Sequence, residues 1–174
     1  MNISVIGGGS WGTALAAILS KKKKIKWWVR RENLATQIKK RKRNTKYLSS
    51  CKLNLKNVDI TTNLEDSIAS CDILIVAVPS IFIEETFDSY SKILANKILL
   101  SAVKGVIPGK LITPHQYFLG LEKSINYGVI SGPCHAEEIA NEMKSYLTIS
   151  SFKPLRNHNV SIIFQSSFLS VKLS

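Results

Sequence analysis

NISVIGGGSWGTALA, residues 2–16, is the stretch that decides the fold. Ile3 to Ile6 form a short apolar run that reads as a strand, and three glycines follow it directly. From Ser10 to about Leu19 the apolar side chains Leu15, Ile18 and Leu19 recur at helical spacing, with Ser10 expected as the helix cap. Gly7-x-Gly9-x-x-Gly12 therefore sits between a strand and a helix, the context in which such spacing carries a dinucleotide. Each glycine has its own physical task. Gly7 permits the tight turn, Gly9 lets the backbone approach a pyrophosphate, and Gly12 lets the helix pack against the strand. Amides at the start of the helix then face the anion. The competing reading is a glycine turn with a structural role alone.

Further along the chain, strand-like and helix-like segments alternate. Strands are expected at 25–29, 58–62, 72–78, 97–103, 127–130, 145–150 and near 168–172. Helices are expected at 32–42, 63–70, 80–94, 110–120, 135–143 and near 158–166, with a loop over 44–57. DILIVAV and KILLSAV are apolar on both faces, as buried parallel strands are. The fold class is α/β, a Rossmann-type doubly wound, mainly parallel sheet with helices on both faces. Residues 1–150 read as the dinucleotide-binding domain and 151–174 as its remaining edge. Ile162, Ile163, Phe164 and Phe168 in that tail are expected to lack a partner and to expose apolar surface.

The composition is globular, with 174 residues, 45% of them hydrophobic and 21% charged. No apolar run reaches the length of a membrane span, and the N-terminus lacks the pattern of a signal peptide. Three scattered cysteines, Cys51, Cys71 and Cys134, suit a reducing, cytoplasmic compartment. The net charge is +12, and the excess is local. Fifteen of the 24 Lys and Arg residues fall between Lys21 and Lys56, against the single acid Glu32. Such a stripe suits nucleic acid, but apart from Trp27 and Trp28, which read as strand core, aromatics are not interleaved with it at stacking intervals. A solvated basic face is the favoured reading, and no metal site is expected.

The place that normally holds an acid for the adenosine ribose, at the end of the second strand, carries Arg30 and Arg31. An arginine there pairs with a 2′-phosphate and stacks on adenine, so NADP(H) is preferred, with NAD(H) a possible cofactor. VAVPS (76–80), SAVKG (101–105) and SGPCHAEE (131–138) each follow a strand, and their loops converge on the edge that binds ligands in open parallel sheets. Lys104 on that edge is suited to holding a phosphate or polarising a carbonyl; a solvated loop lysine is the plain alternative.

GGGSWGTALA, WWVRR, NTKYL, VAVPS, SAVKG and SGPCHAEEIA, in this order, resemble the bacterial NAD(P)-dependent glycerol-3-phosphate dehydrogenases from residue 1 to about 150. SWGTALA and SGP-x-x-AEE are specific to that family; the glycine loop is not. The resemblance implies interconversion of dihydroxyacetone phosphate and sn-glycerol 3-phosphate for phospholipid synthesis. It implies cofactor contacts from Gly7, Gly9, Ser10, Trp11, Gly12, Arg30, Arg31, Tyr47, Lys104 and Ala136. It implies substrate contacts from Lys104, Gly132 and Cys134. Cys134 departs from the Ser or Thr more often expected, and a thiol is the weaker donor. In the family a helical C-terminal domain, absent from this sequence, supplies the general acid/base lysine and an Arg-Asn pair for the substrate phosphate, and the full-length enzymes are possible homodimers. Residues 151–174 match none of this, and His115, His135 and His158 replace none of it. The catalytic residue is therefore unassigned. Two alternatives stay open: a non-catalytic NADP(H)-binding module, and nucleic-acid binding through residues 21–56.

Overall fold

The first strand of the chain ends up in the middle of its sheet. In the computed structural model, which describes residues 1–155 and 160–174, the strands are β1 (Ile3–Ile6), β2 (Ile25–Trp28), β3 (Val58–Thr61), β4 (Ile73–Val76), β5 (Ile98–Ser101), β6 (Asn126–Ser131), β7 (Ser145–Ser150) and β8 (Leu169–Leu173). They form one eight-stranded sheet in the order β3-β2-β1-β4-β5-β6-β7-β8. β1 to β6 are parallel, β7 runs against β6, and β8 follows the direction of β7. The helices are α1 (Ser10–Ser20), α2 (Glu32–Arg41), α3 (Leu64–Ala69), α4 (Ile83–Phe87), α5 (Pro114–Leu121), α6 (Ala136–Ala140) and α7 (Val160–Phe164).

Strand side chains alternate between faces, so each central strand feeds two cores. Ile3, Val5, Ile73, Ile75 and Leu100 pack on the face that also buries Leu15, Trp27 and Phe164. Ile6, Leu74, Val76 and Leu99 pack on the other, with Phe87 and Phe118 meeting edge to face at 5.1 Å. This is why β4 is apolar throughout and β1 and β5 carry one serine each.

Four local expectations are corrected. The helix expected over 80–94 is broken into a 3-10 turn at Ser80–Phe82, then α4, then a kinked 3-10 segment at Asp88–Leu94. Asp88 accepts the Tyr117 hydroxyl at 2.5 Å, and the Ser89, Tyr90 and Ser91 that follow are weak helix formers. The helix expected from 110 starts instead at Pro114, where Thr113 and Gln116 close a capping box with proline at the first helical position. The helix expected over 135–143 stops at Ala140, and Glu142 takes a left-handed φ of 56°. The cap of α1 is Gly9, not Ser10; the Ser10 hydroxyl donates to Tyr47 O at 2.8 Å.

The tail also differs from expectation. Ile163 and Phe164 are buried in the core, Phe168 packs against it under the Lys21 ammonium, and only Ile162 of the four is exposed, at 54%. α7 covers part of the helix expected over 158–166, whose beginning, with His158, lies outside the described residues. No described helix is long and apolar enough to cross a membrane.

Candidate functional site

The strand order reverses between β1 and β4, and a cleft opens there beyond their carboxyl ends, the place where doubly wound sheets take ligands. Its floor is Gly7, Gly8 and Gly9. Arg30 and Arg31 stand at one end, Ala77 to Pro79 after β4 form the opposite wall, and Tyr47 and Phe82 stand at its edge.

The glycines are separable by what a side chain would meet. Gly7 has φ +132°, and a Cβ there would lie 2.4 Å from Ala77 O, so the turn from β1 passes close to the turn from β4. A Cβ on Gly12 would lie 2.1 Å from Gly7 O. A Cβ on Gly9 would meet nothing within 4 Å. Gly9 is therefore not needed by the protein's own packing; the space beside it is open to a ligand.

The Arg30 guanidinium lies 4.6 Å from the Phe82 ring centre and 3.6 Å from Glu85. Arg31 caps α2 and is exposed. Tyr47 is 39% exposed beside the Lys46 ammonium. Gly7, Gly9, Arg30, Arg31 and Tyr47 thus meet in one cleft. Ser10 and Trp11 lie just beyond it on the first turn of α1, and Gly12 is buried beneath. Gly8, Leu34, Phe82 and Thr86 also line it and were not singled out in the sequence. The PSIF run just past the VAVPS strand end was the signal available for Phe82.

Lys104, Gly132, Cys134 and Ala136 form a second group, on the loops after β5 and β6 at the same sheet edge but outside the lining of the cleft. Lys104 is exposed, whereas Cys134 and Ala136 are each 7% exposed and belong to the core. Burial pushes the Cys134 thiol up, Glu138 adds to this, and the nearby Lys104 ammonium opposes it. A Cβ on Gly132 would lie 2.3 Å from Tyr146 O, so the β6–β7 reversal itself requires glycine there. The His135 backbone amide donates to Glu138 at 2.7 Å and starts α6, while the His115 ring packs between Tyr127 and Phe152. All three cysteines are free and buried. Among the described residues no three His, Cys, Asp or Glu side chains are grouped to hold a metal ion.

The basic stripe is divided. Lys21 pairs with Glu142, Lys26 with Asp66, and the two arginines enter the cleft. Lys39, Lys40, Arg41, Lys42, Arg43, Lys46, Lys52 and Lys56 are exposed, without an ion pair among the described residues.

Residues 2–156 match the family model described as NAD-dependent glycerol-3-phosphate dehydrogenase N-terminus. The chain belongs to that family. It is 32% identical over 150 residues to glycerol-3-phosphate dehydrogenase [NAD(P)+] of Pseudomonas aeruginosa, covering 86% of this chain and 44% of that one. The Bacillus licheniformis relative of the same name is 35% identical over 154 residues, covering 86% and 44%. The chain spans about half the length of the curated relatives it matches. Among solved structures, glycerol-3-phosphate dehydrogenase from Coxiella burnetii superposes with a TM-score of 0.90 at 22% identity, over 99% of this chain and 53% of that one. The Plasmodium falciparum enzyme gives 0.89 at 22%, over 100% and 52%. At that identity the likeness is one of fold, and it extends over the tail as well as the family's matched region.

Proposed function

We propose that the chain is the cofactor-holding part of a glycerol-3-phosphate dehydrogenase, binding NADP(H) in the cleft between β1 and β4 in preference to NAD(H). The open space at Gly9, above a helix start and at the reversal of strand order, carries this reading. The cleft fits a dinucleotide in both its parts. Around Gly9 and Ser10 the backbone amides and the positive end of α1 suit a pyrophosphate. At the other end Arg30 and Arg31 suit a 2′-phosphate, the Arg30 guanidinium already lying over the Phe82 ring.

The substrate pair proposed is dihydroxyacetone phosphate and sn-glycerol 3-phosphate, the latter a backbone for phospholipid synthesis. When bound, the dinucleotide would supply hydride for the ketone carbon, and the carbonyl oxygen would take a proton from a group not assigned in this chain. Lys104, exposed on the same sheet edge, would hold the substrate phosphate or stabilise charge on the carbonyl oxygen. Gly132 and Cys134 would face the substrate from the loop after β6, the thiol in its neutral form.

The test is NADPH oxidation by the purified 174-residue chain with dihydroxyacetone phosphate, alongside Lys104→Ala. Turnover lost in the variant assigns a working site to these residues. NADPH binding without turnover assigns a cofactor-holding role alone. Failure to bind either dinucleotide rejects the reading.

A further inference from the structure

Three successive glycine carbonyls lie beneath the cleft, and a different buried side chain donates to each. The Trp27 indole Nε1 reaches Gly7 O at 2.8 Å, the Asn44 amide Nδ2 reaches Gly8 O at 2.9 Å, and the Thr13 hydroxyl reaches Gly9 O at 2.7 Å. All three donors are 0% exposed, so all three carbonyls point into the protein. In a planar trans peptide the N–H points opposite to the carbonyl. The amides of Gly8, Gly9 and Ser10 therefore point the other way, toward the cleft. None of the three has an acceptor among the described residues.

The Asn44 side chain is the least expected member of this set, because it comes from the polar loop after α2. Its orientation follows from counting hydrogens. The Thr13 hydroxyl has one, directed at Gly9 O, so it accepts from Asn44 Nδ2 at 2.8 Å. The Asn44 amide must then turn both of its N–H bonds toward Thr13 and Gly8 O. Its Oδ1 is left buried with no partner among the described residues. An unpaired buried carbonyl is destabilising. An aliphatic side chain would avoid that penalty, but it has no N–H to donate to either acceptor. The backbone carbonyl of Asn44 also accepts from the amides of Tyr47 (3.3 Å) and Leu48 (2.9 Å), so the turn that brings Tyr47 to the cleft starts at the same residue.

We infer that Asn44 is a positioning residue for the pyrophosphate of the dinucleotide: with Thr13 and Trp27 it holds the glycine carbonyls inward so that three amides face the ligand before it arrives. This rests on the reading of the cleft as a dinucleotide site. Preorganised donors do not have to be ordered at the moment of binding, and their loss is felt as affinity.

The test uses the 174-residue chain with Asn44→Ala, Asn44→Asp and Thr13→Val. The aspartate keeps the size of asparagine and removes its donors. Dissociation constants are measured for NADPH and for adenosine 2′-phosphate, which reaches the arginine end and has no pyrophosphate, with the melting temperature recorded alongside. The expected result is an NADPH affinity weakened about ten-fold in each variant, as for loss of one or two hydrogen bonds, with adenosine 2′-phosphate affinity unchanged within about two-fold. Variants that bind NADPH like the wild type overturn the inference. So do variants that lose both ligands in proportion, since that reports general damage to the fold. A wild-type chain that binds neither ligand rejects the dinucleotide reading, and the inference with it.

Discussion

The carbonyl oxygen of Gly7 lies 2.1 Å from the point where a side chain on Gly12 would begin. No backbone can yield that much without moving β1 or α1. Gly9 has the opposite surroundings, with nothing within 4 Å and a φ of −79° that alanine adopts freely. Two glycines three residues apart should therefore fail in different ways. Gly12→Ala lowers stability by about 1–3 kcal/mol, as overpacking does. Gly9→Ala keeps the wild-type melting temperature but loses NADPH affinity, because its methyl fills the ligand's space. Thermal denaturation and a binding titration on both variants check this. A Gly9→Ala chain that binds normally contradicts the placement of the pyrophosphate.

Arg30 has Phe82 beneath it and Glu85 beside it. The double replacement Arg30→Ala, Arg31→Ala should weaken NADPH by ten-fold or more and NADH much less, since charge-assisted hydrogen bonds contribute roughly 1.5–3 kcal/mol each. Glu85→Gln should act in the other direction, strengthening NADPH modestly by releasing Arg30 from its competing carboxylate. The ratio of the two cofactors' dissociation constants is the measurement. Equal losses for both in the double variant would remove the 2′-phosphate assignment.

Phe164 is fully buried and its neighbour Ile162 is exposed. Phe164→Ala should destabilise the chain by about 3–5 kcal/mol, the usual loss for a buried aromatic. Ile162→Ser should leave the urea midpoint within error. If the two variants matched, the tail would not be part of the core.

Burial, opposed by a hydrogen bond with Ser101, pushes the Tyr127 hydroxyl up to about 12. The folded state thus favours the protonated ring. That preference is fully present below pH 10, the ordinary value, and is lost as pH rises from 10 toward 12. The stability difference between wild type and Tyr127→Phe should therefore move against the wild type by roughly 1 kcal/mol between pH 8 and pH 11. Urea unfolding at the two pH values reads it, and a constant difference would contradict the shift.

Much of this was legible locally. β1, β4 and β5 announce themselves because both faces are covered, and Gly7 and Gly12 each match a steric need found in the structure, whereas Gly9 borders open space. Arg30 and Arg31 were legible because their place is set by the length of β2. The unbroken helix expected over 80–94 was wrong because the residue that draws Asp88 aside, Tyr117, lies 29 positions away. Asn44 was hidden for the same reason. Its acceptors, Gly8 and Thr13, are 36 and 31 positions away, and nothing in the polar loop around it marks it as buried. The strand near 168–172 is expected and found as β8, but the burial of Ile163 and Phe164 depends on α7 packing against α1, far away in sequence, and nothing local shows that contact.

The central position of β1 also bears on how the chain comes off the ribosome. Ile3 pairs with Ile25 on one side and with Ile73 on the other. At typical rates of about 5–20 residues per second, the second partner emerges roughly 4–14 s after β1. Until then one edge of the central strand is open, with apolar residues on either side of it. The nascent protein should be most vulnerable to aggregation in that interval, and a pause in translation placed just before β4 should lower its yield more than one placed after β5.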